Sequence, residues 1–397
     1  MKILGIETSC DETSIAILDF GDSQDSFSVM SDITLSQIDM HAEYGGVFPA
    51  LAKREHIKNI YPILLKSLEQ SGLLIKKEQG PLPEKKIEEI KLILDRDEEN
   101  LNHIQTLAKQ YERPCIDAVA VTYGPGLEIA LWTGFNVARA LSVLWDIPLV
   151  PTNHMEGHIY SSLLTKAGDS ELHGENLEQA HLKIREVQYP ALALLISGGH
   201  TELIHSESEF EYKKIGETLD DAVGEAYDKS ARLMNVPYPG GPMVSKFAEE
   251  KRQTNPESVA ELLPRPMIHS GDLNFSFSGL KTAVLREAQA HEMTEEYKKN
   301  LSFEFEEAVA EVLIKKTDKA LDQYASASLI IGGGVSANTN LRRAFTKLCQ
   351  DKGITLFLPE KKYTGDNALM IAVAAARRFF ADTYPKNVTS VNGNLTL

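Results

Sequence analysis

The sequence uses one strand-turn-strand plan twice, about half a chain apart. Residues 2–20 contain the apolar stretch KILGIE, the polar turn TSCDET and a second stretch SIAILDF, a pattern typical of a β-hairpin. Residues 190–206 repeat the plan with ALALLIS, the small-residue turn GGHT and ELIHS. The repeat predicts two similar halves, each opening with a hairpin whose turn faces a shared cleft.

Helix and strand patterns alternate through the rest of the chain. Pro49 begins an amphipathic helix pattern, and the strand pattern IDAVAVTYGPG follows it. A strand SLIIGGGVSAN and a helix TNLRRAFTKLCQDKG come late in the sequence. This alternation predicts an α/β architecture with a largely parallel sheet plus hairpins. Since single cores stop growing at about 250 to 300 residues, the 397 residues predict two domains.

Composition and charge exclude several classes of protein. With 43% hydrophobic and 25% charged residues, the chain is an ordinary globular protein, neither disordered nor fibrous. The net charge of −16 argues against binding nucleic acid by bulk electrostatics. An RNA partner would therefore be bound by local basic patches or with help from other subunits.

The cysteines and the apolar segments indicate in which cellular compartment the protein is expected. Cys10, Cys115 and Cys349 are far apart and form no C-x-x-C pair, which disfavours a disulfide framework and a thiolate zinc site. Acidic residues interrupt the apolar start of the chain, so no signal peptide is expected. No uncharged run approaches the roughly 20 residues of a membrane span. We expect a cytoplasmic protein without a membrane segment.

The stretch NHMEGHIYSSLL places His154 and His158 four residues apart. On a helix the two side chains lie one turn apart on one face, where two imidazoles can bind one cation. Glu156 points elsewhere, so HMEGH is neither the H-E-x-x-H nor the H-x-x-E-H motif of zinc peptidases. From this motif alone, a metal site and two ordinary helix histidines remain equally open.

Asp366, in KKYTGDNALMIAVAAA, is the candidate third ligand. It stands at a loop-to-helix junction, where Asp or Asn is also an ordinary N-cap. Sequence spacing alone does not bring it to the histidines, so both readings stay open.

Two glycine-rich turns follow apolar strands. LIIGGGVSAN opens a helix, a place where backbone N–H groups bind phosphate or ribose. It lacks the spacing of the dinucleotide and Walker fingerprints. In LLISGGHTEL, the backbone at Ser197, Gly198 and Gly199 would allow a ligand to approach closely. A simple hairpin turn is the alternative. In GETLDDAVGEAYDKSARL, the acidic residues Asp221, Glu225 and Asp228 are first expected on a solvated helix face.

Taken in order, ten segments resemble the TsaD family of tRNA threonylcarbamoyladenosine biosynthesis proteins, in the actin and sugar-kinase superfamily. The segments are GIETSCDET, HAEYGGVFPALAKREH, TYGPGL, NHMEGH, LLISGGHTEL, GEAYDKSARL, YPGGP, FSFSGLKT, GGGVSAN and TGDNALM. The resemblance implies an α/β fold with two ribonuclease-H-like halves around a central nucleotide cleft. We place the N-terminal half at 1–147, with 366–397 packing back on it and an insertion near 75–112. The C-terminal half, 148–365, would carry the metal and nucleotide loops.

The resemblance also implies site residues. One divalent metal, Fe²⁺ with Zn²⁺ as the substitute, would be bound by His154, His158 and Asp366. Asp228 is thereby reassigned from a solvated helix face to a hydroxyl or ribose ligand. The catalytic residue remains unknown, and Asp11 and Glu12 are the nearest candidates to accept a proton. The implied substrate contacts are Leu195, Ile196, Ser197, Gly198, Gly199, Asp228, Gly241 and Asn338.

The function implied by the resemblance is acyl transfer to tRNA. Such proteins transfer threonylcarbamoyl from threonylcarbamoyl-AMP to the exocyclic amine of the adenosine 3′ of the anticodon, in tRNAs reading codons that begin with A. The expected partners are tRNA, TsaB-like and TsaE-like subunits, and a TsaC-type synthase that supplies the substrate. The alternatives are a small-molecule kinase or ATPase of the same superfamily and a non-catalytic scaffold subunit of the tRNA-modifying complex. The three metal-ligand residues disfavour both.

Overall fold

The computed structural model describes residues 1–78, 84–167, 180–254 and 263–397. The chain divides into two compact units. The first unit contains Met1–His41, Val47–Arg185 and Asp366–Thr396, and the second contains mainly Ala42–Gly46 and Glu186–Gly365. Each unit has its own hydrophobic core around its own sheet.

The first unit is built on a seven-stranded sheet. Its strands are β1 (Lys2–Glu7), β2 (Glu12–Asp19), β3 (Ser26–Ser36), β4 (Ala118–Gly124), β5 (Leu149–Asn153), β6 (Leu164–Lys166) and β7 (His181–Ile184). They lie in the order β5-β4-β1-β2-β3-β7-β6. The β1-β2 and β2-β3 pairs are antiparallel, whereas β4 is parallel to β1 and to β5.

The second unit repeats this arrangement with five strands. They are β8 (Ala191–Ile196), β9 (Thr201–Ser208), β10 (Glu211–Glu217), β11 (Ser328–Gly332) and β12 (Thr355–Phe357). The order β10-β9-β8-β11-β12 and its strand directions match those of β3-β2-β1-β4-β5. The α/β class and the two similar halves, each opening with a hairpin, are therefore confirmed. The expectation of a largely parallel sheet is wrong, because four of the six strand pairs of the first sheet and two of the four of the second are antiparallel.

Twelve α-helices occur in the described residues. They are α1 (Ile38–Ala42), α2 (Pro49–Gln70), α3 (Glu84–Ile93), α4 (Glu98–Gln110), α5 (Glu128–Trp145), α6 (His154–Ser162), α7 (Val223–Leu233), α8 (Gly240–Thr254), α9 (Ser278–Ala290), α10 (Glu295–Gln323), α11 (Thr339–Lys352) and α12 (Ala368–Phe380). Among the residues described, no helix has both the length and the apolar character needed to cross a bilayer.

The boundary between the units differs from the predicted one. Residues 148–185 belong to the first unit and not to the C-terminal half. The reason is that β5 continues the first sheet, pairing with β4 from Val119 opposite Leu149 onward. Because α6 follows β5 directly, the two histidines also belong to the first unit. The prediction that the C-terminal half carries the metal residues is thus corrected.

The insertion near 75–112 is helical, but it is not wholly solvated. Its helices α3 and α4 turn an apolar side inward, with Ile87, Ile90, Ile104 and Leu107 buried in the core of the first unit. The opposite sides carry the charged residues that suggested a solvated excursion. Residues 79–83 of this segment lie outside the described residues.

Candidate metal centre and substrate loops

The paired histidines lie in the first turns of α6. The side chain of Asn153 caps this helix by accepting hydrogen bonds from the backbone N–H groups of Met155 (2.8 Å) and Glu156 (3.4 Å). The cap fixes the helix start at His154, so His158 follows one turn later on the same side. Both imidazoles are buried, with 5% and 0% exposure. The helix predicted from the motif is present.

Asp366 directly precedes the cap of α12. The cap is its neighbour Asn367, whose side-chain oxygen accepts a hydrogen bond from Met370 N–H at 2.9 Å. The Asp366 carboxylate instead lies 3.4 Å from His154 Nε2 and 3.2 Å from His158 Nε2. The alternative that Asp366 is an ordinary N-cap is therefore wrong.

The three side chains converge on one place. One ligand atom from each of His154, His158 and Asp366 lies within 4.8 Å of the others. His158 makes no well-aligned hydrogen bond at either ring nitrogen, although buried polar atoms are normally satisfied. Two buried imidazole nitrogens and a partly buried carboxylate oxygen are a donor set that fits a divalent transition metal.

The three side chains of this cluster shift one another's pKa values. Burial by itself would raise the pKa of Asp366, but the adjacent imidazoles hold it well below the usual range. Burial likewise opposes protonation of His154, yet Asp366 and Glu7 raise the pKa of its imidazole well above the usual value. The pKa of His158 is lowered, chiefly because the ring is fully buried. The cluster thus offers an ionised carboxylate and a neutral imidazole for a cation.

Helices α6 and α12 are joined by a partly buried ion pair. Glu156, which is 2% exposed, accepts two hydrogen bonds from Arg378 Nε at 3.0 and 2.9 Å. Arg378 Nη2 lies 2.9 Å from the same carboxylate. The carboxylate of HMEGH therefore holds together the two segments that carry the cluster, and it does not face the metal-binding side.

A second carboxylate lies on the other side of His154. Glu7 Oε2 is 3.2 Å from His154 Nδ1 and accepts a hydrogen bond from Thr122 Oγ1. The Ser9 N–H donates to Glu7 Oε1. Burial would raise the pKa of Glu7, but His154 lowers it below the usual value. Sequence reasoning missed this contact because 147 positions separate the two residues.

The acidic hairpin turn lies close to the same cluster. Asp11 is buried, with 7% exposure, and the side chain of Glu12 accepts a hydrogen bond from Ser36 Oγ at 3.3 Å. Burial raises the pKa of Glu12 well above its usual value, and the negative charges of Asp366 and Asp11 raise it further.

The glycine turns of the second unit pack against each other. The β8-β9 turn contains Ser197 through Gly199, and a Cβ at either glycine would meet nothing within 4 Å. Ser197 accepts a hydrogen bond from Gly224 N–H of α7 at 3.2 Å. Gly333 has a φ of +90°, and a Cβ there would lie 2.4 Å from Ile196 O. Glycine is required at this position because both the backbone conformation and the space exclude a side chain.

The other implied substrate residues lie around α7, α8 and α11. Asp228 on α7 accepts hydrogen bonds from the N–H groups of Gly240 (2.8 Å) and Gly241 (3.2 Å), where α8 begins. Asn338 caps α11 through Leu341 N–H and donates to Ser245 Oγ at 2.8 Å. The second unit therefore contains all eight of these residues, and the first contains the metal cluster.

Comparison with known proteins identifies the family. The family model TsaD, described as tRNA N6-adenosine threonylcarbamoyltransferase, matches residues 28–79, 104–172 and 170–373. The chain belongs to the TsaD family. The stretch between the first two matched segments contains α3 and the start of α4, so the insertion adds to the TsaD pattern.

Curated relatives named tRNA N6-adenosine threonylcarbamoyltransferase match nearly the whole chain. The relative from Persephonella marina is 37% identical over 382 residues, covering 96% of this chain and 90% of its own. That from Nitrosospira multiformis is 38% identical over 378 residues, covering 95% and 91%. The Bacillus subtilis relative is 37% identical over 382 residues, covering 96% and 91%. The TsaD relationship thus extends over both units.

Proposed function

We propose that this protein transfers the threonylcarbamoyl group of threonylcarbamoyl-AMP to the exocyclic amine of the adenosine 3′ of the anticodon, in tRNAs reading codons that begin with A. The observation that carries the proposal is the near full-length relationship to tRNA N6-adenosine threonylcarbamoyltransferases. The convergence of His154, His158 and Asp366 supports it.

The chemistry is a direct acyl transfer. The N6 amine bonds to the carbamoyl carbon, the bond from that carbon to the phosphate oxygen of AMP breaks, and N6 loses a proton. The amine is a weak nucleophile because its lone pair is delocalised into the adenine ring. AMP is a good leaving group, so the reaction needs no nucleophilic serine or cysteine. Asp11 and Glu12, at the hairpin turn close to Asp366, are our candidates for the proton acceptor.

We assign His154, His158 and Asp366 as the ligands of one divalent metal, expected to be Fe²⁺, with Zn²⁺ as the alternative. A Lewis acid bound there would polarise the carbamoyl group. Two imidazoles and one carboxylate leave coordination positions open, as catalytic metal sites require. Among the described residues, these three form the one cluster of His, Cys, Asp or Glu arranged for metal binding.

We assign the turns of the second unit to the nucleotide part of the substrate. The exposed N–H groups at Gly198 and Gly199 offer close backbone approach, as at other phosphate-binding turns. Leu195 and Ile196 end β8 and position that turn. Asp228, Gly241 and Asn338 would contact the ribose and the purine.

The tRNA is the expected large substrate, and we propose that other subunits help to bind it. The net charge of −16 opposes binding of phosphates by this chain alone. TsaB-like and TsaE-like subunits are the proposed helpers, and a TsaC-type synthase would make threonylcarbamoyl-AMP.

The deciding experiment is reconstitution with tRNA, threonine, bicarbonate, ATP, the synthase and the partner subunits, followed by mass analysis of nucleosides. We expect threonylcarbamoyladenosine to form. Absence of the product, with partners that support a known relative, would refute the proposal.

A matched pair of histidine variants tests the metal assignment. His154→Ala should lower metal content and abolish transfer while the protein stays folded, because it removes one ligand from a preformed site. His205→Gln is the control, since His205 is also buried (4% exposed) but lies on β9 of the second unit. Full transfer by a metal-free His154→Ala protein would contradict the assignment.

A further inference from the structure

We propose that Glu7 is the positioning residue of the metal centre, fixing which ring nitrogen of His154 faces the cation. The inference rests on the proposed metal assignment but adds a residue outside the ligand set. Glu7 is 0% exposed and lies on β1, the strand next to β4 in the first sheet.

The argument begins with the two sides of the His154 ring. Nδ1 lies 3.2 Å from Glu7 Oε2, and Nε2 lies 3.4 Å from Asp366 Oδ1. A carboxylate accepts hydrogen bonds and cannot donate them when ionised. A histidine that binds a metal must be neutral, and in the neutral ring Glu7 favours the proton on Nδ1. The lone pair is then on Nε2, on the side of His158 and Asp366.

The Glu7 carboxylate is itself held in place. Thr122 Oγ1 donates a hydrogen bond to Oε2, and Ser9 N–H donates to Oε1. Thr122 lies on β4 and is 1% exposed. With both oxygens engaged by donors, Glu7 is fixed in orientation, and its contact with the imidazole is on the side away from the three ligand atoms.

Ser9 offers a competing acceptor, because its Oγ also lies 3.2 Å from His154 Nδ1. Charge favours Glu7, since hydrogen bonds to an ionised acceptor are roughly twice as strong as neutral ones. The hydroxyl can donate as well as accept, so Ser9 alone does not fix the proton on Nδ1. A carboxylate that orients a ligand histidine also raises the basicity of the coordinating nitrogen.

The test measures Zn²⁺ affinity of the full-length protein in the absence of tRNA and partner subunits. Glu7→Gln and Glu7→Ala should weaken Zn²⁺ binding by roughly 10- to 100-fold, with the larger loss in the alanine variant. Thr122→Val should weaken it less, because it loosens Glu7 without removing it. Ser9→Ala should retain most of the affinity.

Glu55→Gln is the matched control. Glu55 is a buried carboxylate of the first unit, 5% exposed, and lies on α2 next to Arg54 and Lys58. This variant should keep wild-type Zn²⁺ affinity. Wild-type affinity in folded Glu7→Gln and Glu7→Ala proteins would overturn the proposal.

A measurement on the unmodified protein keeps the proposal falsifiable if the Glu7 variants do not fold. In the Zn²⁺-loaded protein, ¹⁵N NMR of the imidazoles should show His154 protonated at Nδ1 and coordinated through Nε2. Coordination through Nδ1, or a proton on Nε2, would overturn the proposal. Neither readout depends on transfer, so a failure of the proposed function would be seen separately in the nucleoside assay.

Discussion

Among single residues, the neighbours Asp366 and Asn367 perform two different tasks. Asn367 satisfies the first turn of α12 through Met370 N–H, which leaves the Asp366 carboxylate to the imidazoles. Helix stability and metal binding can therefore be changed separately.

This division predicts opposite outcomes for two neighbouring substitutions. Asp366→Asn should sharply reduce bound metal, because it removes the anionic ligand, and should leave the cap of α12 intact. Asn367→Ala should lower the free energy of unfolding by about 1 kcal/mol through loss of the cap, yet keep most of the metal. Metal analysis and denaturant unfolding give the two readouts. Equal metal loss in both variants would contradict the division.

Asp220 makes a pH-dependent contribution to the stability of the second unit. Its carboxylate accepts hydrogen bonds from Phe277 N–H (2.8 Å), Ser278 N–H (3.2 Å) and the hydroxyls of Ser276 and Ser278, at the start of α9. Although partial burial opposes it, these bonds lower the pKa of Asp220. Its stabilising effect is therefore present above the ordinary carboxyl pKa and is lost as the pH falls through the lowered value.

Asp220→Asn should consequently be less stable than the unmodified protein at neutral pH, and the difference should shrink as the solution is acidified below about pH 4. Urea unfolding across this pH range measures the effect. A stability difference that stays constant from pH 7 to pH 3 would show that the charge has no such role.

The sequence predicts which residues belong to the site better than it predicts the contacts between them. The spacing of His154 and His158 indicated one helix face, and the TsaD resemblance indicated Asp366. The role of Glu7 could not be predicted, because β1 reaches His154 only through the pairing of β1, β4 and β5. The sequence of GIETSCDET marks Glu7 as a hairpin residue and contains no signal for its partner.

At the scale of elements, α12 is positioned by close packing on β1. Residues 368–376 of this helix are all buried, and α12 contacts β1, β2 and α6. Gly5 permits the approach, since a Cβ there would lie 2.5 Å from Ala368 O and 2.9 Å from Ala372 Cβ. The start of α12, and with it Asp366, depends on this contact.

Gly5→Ala should therefore displace α12, destabilise the protein by about 1 to 3 kcal/mol and weaken metal binding, although Gly5 touches no ligand atom. Gly279→Ala on α9 is the control, because a Cβ there would meet only Pro266 Cγ at 3.8 Å. Thermal unfolding and Zn²⁺ titration distinguish the two. Unchanged metal affinity in Gly5→Ala would show that metal binding does not depend on the position of α12.

The elements themselves were largely predictable, because their patterns are local. The hairpins, α2 from Pro49 and the strand before TYGPG follow directly from apolar periodicity. The insertion was harder: charge density in KKEQGPLPEKKIEEIKLILDRDEEN indicated a solvated helix, but Ile87 and Ile90 lie one turn apart and are buried. The burial depends on α5, which packs against α3.

At the scale of the whole molecule, metal binding should protect one unit more than the other. All three proposed ligands belong to the first unit, and a ligand stabilises only the state that binds it. Hydrogen exchange of backbone amides in α6 and α12 should slow on addition of Zn²⁺, with much smaller changes in α7 and α8. His154→Ala should abolish the protection. Equal slowing in both units would argue against a site confined to the first.

The position of the unit boundary could not be predicted for a related reason. Two domains were expected from length, and the repeat indicated similar halves. Assigning 148–185 required knowing that β5 pairs with β4, a parallel contact between distant segments. The alternation of β4, α5 and β5 is compatible with parallel pairing, but it does not show to which unit β5 belongs.

The first unit consists of segments that are far apart in the sequence, so it cannot be completed until the end of synthesis. The ribosome synthesises residues 1–185 first and then nearly all of the second unit. It synthesises Asp366–Thr396, the last part of the first unit, only afterwards. At 5 to 20 residues per second, the delay is roughly 10 to 40 s. During that time the apolar surface later covered by α12 lies open on the nascent chain. A chaperone that recognises exposed apolar strands would meet this protein at that stage, and a premature stop before residue 366 would leave the surface permanently uncovered.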